Sequence, residues 1–265
     1  MGKIATTILG CGKGWSAGDV ICRSGPQDRP FVEEHSTISI AAVVEGSFQY
    51  RSDLGSQVLS PGSLLLGNLG HSFECRHEHG TGDRCLAFRY TQEFFDRAEL
   101  TPGFPIPSIP PIRALSPWIA ETQLGTHFPH KVLFEELAYE LAGAVMSVLE
   151  TNKPVGRAPT AADERRVSAA LRFIEANLSR PMPLEVLAAN ARMSEFHFLR
   201  VFRQVTRVTP HQYILRSRLR EAAFRLRAGS DDVLDIALDT GFHDLSNFNH
   251  VFRAEFGVNP SGFRR

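Results

Sequence analysis

Two hydrophobic periods divide this chain. Over residues 1–110, short apolar runs alternate with Gly, Pro and Asp turns: Thr37–Glu45, Gly46–Ser52, Gln57–Pro61, Gly62–Asn68, His71–His79 and Cys85–Thr91. Runs this short, rich in β-branched and aromatic residues, predict the closely spaced strands of a barrel or sandwich. Pro61-Gly62 supplies a tight turn between two of them. Over 130–150 the period becomes helical. Leu133, Leu137, Leu141, Ala144, Val145 and Val148 fall on one face. That helix has two candidate targets, the strands before it and a second subunit. Thr151–Thr160 is polar and carries Pro and Gly, which reads as a linker. Thr160 with Asp163 gives a capping-box-like start to the C-terminal part of the chain.

The last hundred residues repeat one pattern twice, over Pro183–Leu215 and Asp232–Arg264. Each copy has a short apolar helix, a turn, a second helix ending in Phe-Arg, and a Thr-Pro or Asn-Pro stop. In the second copy Val233, Ile236, Ala237 and Thr240 form one stripe. Gly241 can take the left-handed conformation that ends a helix sharply. Phe242 plugs the angle between helices, and Asp244 is an N-cap residue for the next one. There Phe248, Val251, Phe252 and Phe256 face inward, leaving Leu245, Ser246, Asn249, His250 and Arg253 outside. In the first copy Leu184, Leu187 and Ala188 make the first helix and Ser194 caps the second. Phe198, Val201 and Phe202 point inward; Phe196, His197, Leu199, Arg200 and Arg203 face out. These are helix-turn-helix units, whose second helix has the width of the major groove. Two of them address successive turns of a duplex, roughly 34 Å apart. His211–Arg227 suits a connecting helix, with Arg216, Arg218, Arg220, Arg225 and Arg227 in reach of phosphates.

These residues resemble the AraC/XylS-type transcription regulators. The resemblance rests on Ser194 to Phe202, Pro210, Tyr213, Arg218 to Ala223, Ile236-Ala237, Gly241-Phe242, Ser246, Phe248, Val251 to Arg253, Phe256 to Val258, Pro260 and Arg264. It departs at Arg207, where the family usually has Gly, which implies a looser helix end. The apolar Phe196 and Leu199 favour contact with thymine methyls over polar readout. A second, shorter resemblance joins Gly46, Tyr50-Arg51, Pro61-Gly62-Ser63, Leu66 and His71 to the cupin-like jelly-roll sensor that precedes the DNA-binding half in many such regulators. The family resemblance implies a dimer formed through the helical region at 126–150.

Charge sharpens the division. The whole chain is neutral, with 29 basic and 29 acidic residues. From Ala161 on there are 16 Arg, no Lys and 12 acidic residues, a net +4 against −4 for the first 160 residues. The basic half is the one that phosphate neutralisation requires. No apolar run is long enough for a bilayer, no signal-peptide pattern opens the chain, and four Cys at this length are not a secreted disulfide framework. A cytoplasmic location is expected.

The densest chemistry is Cys75, His77, His79 and Cys85. If the strand runs through them, Cys75, His77 and His79 share a face. A turn at Gly80–Asp83 then brings Cys85 towards His77. Thiolates and imidazoles around one point are a zinc-type ligand set, and His35 and Cys22 are further donors within the same half. Three other readings stay open: a pocket for a small organic effector, a Cys75–Cys85 disulfide switch, and plain packing. Gly10-Cys11-Gly12-Lys13-Gly14 looks phosphate-friendly but lacks the Ser/Thr and helix of a phosphate loop; it reads as a flexible loop.

The expectation is an α+β multidomain chain: a cupin-like β-barrel sensor over 1–125, a helical region over 126–150, a linker over 151–160 and an all-α tandem helix-turn-helix domain over 161–265. It is expected to bind double-stranded promoter DNA as a homodimer, to respond to a small ligand, metal ion or redox change, and not to be an enzyme. Two rivals are a cupin-type metalloenzyme with a DNA-binding appendage and a constitutive DNA-binding protein whose N-terminal half only dimerises.

Overall fold

The computed structural model describes residues 4–28, 30, 32–77, 82–98, 100–151 and 159–264. The first strands are β1 (Ile4–Gly12) and β2 (Trp15–Cys22), a hairpin turning at Lys13-Gly14, with Gly14 at φ 82°. The flexible loop expected at Gly10–Gly14 is therefore strand and tight turn. Its glycines make room for an aromatic ring: a Cβ on Gly12 would lie 2.4 Å from the Trp15 indole nitrogen. Then come β3 (Val32–Glu34), β4 (Ile38–Gly46), β5 (Phe48–Ser52), β6 (Gly55–Leu59), β7 (Leu64–Gly67), β8 (Ser72–Arg76) and β9 (Asp83–Tyr90). After the short helix α1 (Gln92–Arg97) comes β10 (Ser108–Ile109).

These strands form two antiparallel sheets rather than a closed barrel. One runs β1-β2-β9-β4-β7-β10 and the other β3-β8-β5-β6. Between them pack Val43, Phe48, Tyr50, Leu59, Cys85 and Ala87. The far face of the larger sheet, with Ile40, Ala42, Leu86, Phe88 and Tyr90, is covered by helices α2 (Ser116–His127) and α3 (Phe134–Thr151). Burial on both faces explains why Ile38–Val44, apart from Ser39, is apolar throughout instead of alternating. The helical layer thus begins at Ser116, ahead of the expected residue 126. In α3 the inward face is Leu137, Leu141 and Val145. Leu133 precedes the first turn and is 74% exposed, so it does not belong to that face as expected. The 152–158 part of the expected linker lies outside the described residues.

The C-terminal half is all helix: α4 (Ala161–Glu175), α5 (Leu184–Asn190), α6 (Glu195–Thr206), α7 (Pro210–Ala228), α8 (Val233–Asp239), α9 (Leu245–Phe256) and α10 (Pro260–Phe263). Thr160 accepts from the Asp163 backbone to start α4, as its spacing predicts. Two cores form, one per helix-turn-helix unit. Val167, Leu171, Leu187, Phe198, Phe202 and Tyr213 fill the first; Leu219, Leu226, Ile236, Phe242, Phe248 and Phe252 fill the second. The long helix α7 contributes to both, which locks the units to one spacer. Val58 of β6 joins the first core and Ala120 of α2 joins the second, so the two halves of the chain pack on each other.

Candidate DNA interface and thiol–imidazole cluster

The second unit is built as its sequence predicts. Gly241 follows α8 at φ 90°, and a Cβ there would meet the Leu178 carbonyl at 2.5 Å, so only glycine fits this turn. Phe242 is buried against Phe248, with ring centroids 5.0 Å apart. Asp244 caps α9 through the Asn247 backbone at 2.6 Å. Phe248, Phe252 and Phe256 are buried along one side of α9, and Val251 is half-buried. Ser246, His250 and Arg253 are exposed; Asn249 and Leu245 are half-buried, and Leu245 packs on the core.

In the first unit α6 starts at Ser194, which stands in the N-cap position without a side-chain capping bond. Phe198, Val201 and Phe202 are buried. Leu199, Arg200 and Arg203 are exposed, His197 is half-buried, and Arg200 donates to His197 Nδ1 at 3.1 Å. The Phe196 side chain lies outside the described residues. Arg207 ends α6 in the left-handed region at φ 64°, its N–H on the Arg203 carbonyl at 3.0 Å. The helix end is closed as a glycine would close it, at the cost of about 1–2 kcal/mol of backbone strain.

The arginines of α7 are turned inward, against the expectation that they reach phosphates. Arg216 donates to the Pro111 carbonyl at 3.0 Å and faces Glu255 at 3.4 Å. Arg218 donates to the carbonyls of Leu178 (2.9 Å) and Arg180 (2.8 Å). Arg220 is buried beside Glu175 and Ser217. Arg225 pairs with Asp231 and Asp239, and Arg227 with Glu121 of α2 at 2.8 Å. A helix packed on three sides has its cations drawn to the nearest carbonyls and carboxylates. Sequence reasoning missed those partners, because Glu255, Glu121 and Pro111 lie far from α7 along the chain.

Helices α6 and α9 sit differently. On α6, Leu199, Arg200 and Arg203 line a cleft of about 1450 Å³ whose opposite wall is 54–60 and 105–112 of the sheet half. On α9, Glu255 is tied back to α2 by a hydrogen bond from Ser116, while Ser246, His250 and Arg253 remain exposed.

The Cys/His group is arranged differently from its strand-based expectation. β8 stops at Arg76, so His77 leaves the strand instead of continuing the face of Cys75. His77 is buried and bonds Asp83 through Nε2. Cys22 lies opposite Asp83 in the β2–β9 register. The donor atoms of Cys22, His77 and Asp83 all lie within 4.8 Å of one another. Cys85, two residues along β9, donates to Asp83 Oδ2 at 3.4 Å. Cys75 is half-buried on the facing sheet opposite Tyr50. His79 lies outside the described residues. His35 belongs to another group, with Nε2 on the Tyr50 hydroxyl at 2.8 Å and its ring stacked on Phe73.

Burial works to raise the Cys22 thiol, but hydrogen bonds from His77 and Ser24 prevail and hold it below its ordinary value. Burial likewise works to lower His77, but Asp83 and Cys22 push it up to about 9. Burial raises Cys75 and Cys85 well above the usual thiol range. Cys22, expected only as a further donor, and Asp83, not expected as a ligand, become neighbours through the pairing of β2 with β9.

Two helix-turn-helix units in register, sharing one helix, define a DNA-binding transcription regulator. Residues 187–265 match the model of a helix-turn-helix domain. The regulatory protein SoxS of Salmonella typhimurium is 35% identical over 94 residues, covering 36% of this chain and 88% of SoxS. The HTH-type transcriptional activator AarP of Providencia stuartii is 35% identical over 98 residues, covering 37% of this chain and 73% of AarP. The chain belongs to the AraC/XylS-type family of regulators. Among solved structures, the DNA-binding domain of AdpA in complex with a target DNA is 27% identical, covers 37% of this chain and 89% of that one, and has a TM-score of 0.37. ToxT from Vibrio cholerae is 13% identical, covers 95% of this chain and 98% of that one, and has a TM-score of 0.40. Both superpositions are loose. Among the described residues no helix is long and apolar enough to cross a membrane.

Proposed function

We propose that α9 and α6 enter successive major grooves of promoter DNA and read its sequence. Ser246, Asn249 and His250 on α9, with His197 and Arg200 on α6, are the base-reading groups. Arg203 and Arg253 sit on phosphates, and Leu199 gives apolar contact to thymine methyls; Leu245, expected on the outer face, packs instead on the second core. The observation that carries this reading is the two-sidedness of α9. Its inner side is three buried phenylalanines and its outer side is exposed and polar.

The sheet half is the sensing half in this reading, acting as a regulator and not as a catalyst, in the cytoplasm, with two chains per operator. It bears on DNA through the cleft against α6. Leu199, Arg200 and Arg203 face that cleft, so α6 reaches a groove only when the sheet half moves aside. A small effector that favours the opened arrangement shifts the population towards the DNA-binding form. The test is selection of bound sequences from random duplexes by the full chain, followed by titration of an Asn249→Ala/His250→Ala variant. Specific affinity falls by about 2–4 kcal/mol while non-specific affinity stays put. Unchanged specificity in that variant would remove α9 as the reading helix.

A further inference from the structure

Three donors of three different kinds converge at one corner of the sheet sandwich: a thiol, an imidazole and a carboxylate. We infer that Cys22, His77 and Asp83 form a binding site for a zinc-class divalent ion.

The geometry fits the ion. Their donor atoms lie within 4.8 Å of one another. Around a tetrahedral zinc, with bonds of about 2.0–2.3 Å, such donors stand about 3.3–3.6 Å apart. Closing the set therefore needs side-chain turns and no rearrangement of strands. The donor types also fit. Sulfur, nitrogen and oxygen together suit zinc, whereas magnesium and calcium take oxygen ligands. The charges close as well. Cys22 and His77 each give up a proton to solvent on binding, so that a thiolate and a neutral imidazole ligate the ion beside the Asp83 carboxylate. Two ligand negative charges then meet two positive charges of the ion, in a place where burial makes unbalanced charge costly.

The surroundings hold the donors in place. Cys22 and Asp83 are cross-strand partners, so their spacing is fixed by the β2–β9 ladder. Gly82 presses its backbone against Cys22: a Cβ there would lie 1.9 Å from the Cys22 carbonyl oxygen. Gly46 packs equally tightly on Gly82 and Asp83, where a Cβ would come within 2.3 Å of the Gly82 carbonyl. His77 has its ring stacked on Phe48 at 5.7 Å, which walls one side. Cys85, on the same face of β9 as Asp83, already touches Asp83 through its thiol at 3.4 Å. Loading the site needs no oxidant. A disulfide between Cys22 and Cys85 is disfavoured by register, because diagonal partners across a strand pair sit roughly 7–8 Å apart, beyond the usual reach of the bond.

The test uses the full chain, reduced and stripped with a chelator, titrated with zinc against a chromophoric competitor. One zinc per chain is expected at submicromolar affinity. Cys22→Ser and Asp83→Ala each weaken it at least tenfold, while Cys11→Ser, which alters the exposed cysteine outside the cluster, leaves it unchanged. A variant-free readout accompanies these: zinc protects Cys22 of the unaltered protein from alkylation, and Cys11 stays reactive. Cobalt in place of zinc gives a thiolate charge-transfer band that Cys22→Ser abolishes. Failure of the unaltered chain to take up an equivalent of zinc overturns the site. So does zinc binding that leaves Cys22 open to alkylation. Peroxide-driven pairing of Cys22 with Cys75 or Cys85, indifferent to zinc, would make the cluster a thiol switch instead. None of these outcomes depends on DNA binding.

Discussion

Replacing Arg218 by Ala separates two roles that its sequence leaves together. As a phosphate contact, the arginine would affect DNA binding and little else. In the structure it bridges two carbonyls, Leu178 at 2.9 Å and Arg180 at 2.8 Å, in the turn after α4. The same Leu178 oxygen lies under Gly241, where it leaves no room for a Cβ. Arg218 therefore clamps the first unit to the turn of the second. A hydrogen bond from a charged donor contributes about 1.5–3 kcal/mol. The Arg180 bond is solvent-exposed, so the pair should total about 3 kcal/mol and not twice that. Urea unfolding of Arg218→Ala should show that loss as a lower midpoint. DNA binding measured over a range of salt gives the second readout, because each phosphate contact adds about 0.9 to the slope of log affinity against log salt. Arg218→Ala should leave the slope unchanged, and Arg253→Ala should reduce it by about 0.9. If Arg218→Ala keeps its stability within about 0.5 kcal/mol and loses 0.9 of slope, the clamp is wrong and the phosphate role is right.

Other perturbations probe other joints. Gly241→Ala places a Cβ 2.5 Å from the Leu178 carbonyl at φ 90°, which should cost at least about 2 kcal/mol in urea unfolding; a midpoint equal to the unaltered protein would refute the turn. Glu121→Ala removes the partner of Arg227 across the α2–α7 contact. Both groups are partly exposed, so the pair contributes about 0.5–1 kcal/mol. The contact between α2 and α7 should part more readily, and DNA affinity should rise about two- to fivefold; no rise at low salt would disconnect this contact from DNA binding. His35 is held at about 4 by burial, then by repulsion from His71 and Arg89. Its folded value lies below its unfolded one near 6.5, so the neutral ring's contribution is complete above about 6.5 and fades as pH falls towards 4. Unfolding free energy should drop by about 3 kcal/mol over that window, and His35→Gln should flatten the slope; an equal slope in the variant would exclude His35 as its source.

Much of this arrangement was legible in the sequence, for physical reasons that differ by element. The helix-turn-helix pair announces itself because its determinants are local. Gly241, Asp244 and the Phe248/Phe252/Phe256 stripe act within sixteen residues, and the structure places each as that spacing requires. The strands from Thr37 to Thr91 were readable from alternation and turn residues. The β1–β2 hairpin was not, because its Gly-rich end resembles a loop until the Trp15 ring is seen to fill the space. Helix α2 was missed because Thr122, Gly125 and Thr126 are poor helix formers. Its reason for being helical is tertiary: Gly125 lets the Phe134 ring lie 3.2 Å from where a Cβ would be. The Cys/His cluster was half legible. His77 and Cys85 lie close along the chain, but Cys22 arrives from a strand more than fifty residues away, and no local pattern encodes that pairing.

The same long-range contacts tie the sheet to the DNA-binding helices through few steps. Strand alternation puts Asp83 and Arg84 on opposite faces of β9. Asp83 faces the cluster, while Arg84 pairs with Asp19 at 2.9 Å and donates to the Thr126 carbonyl at 2.6 Å, at the end of α2. Helix α2 then meets α7 through Ala120 and Glu121. Helix α7 supplies Tyr213 to one helix-turn-helix core and Leu219 to the other. A change at the cluster therefore has a contiguous physical route to α7, the spacer between α6 and α9. That spacer is also where the charge count misleads. The net +4 of the C-terminal half includes five α7 arginines engaged by carbonyls and carboxylates. The cation surface that meets phosphate is correspondingly smaller, and one chain alone should bind DNA weakly.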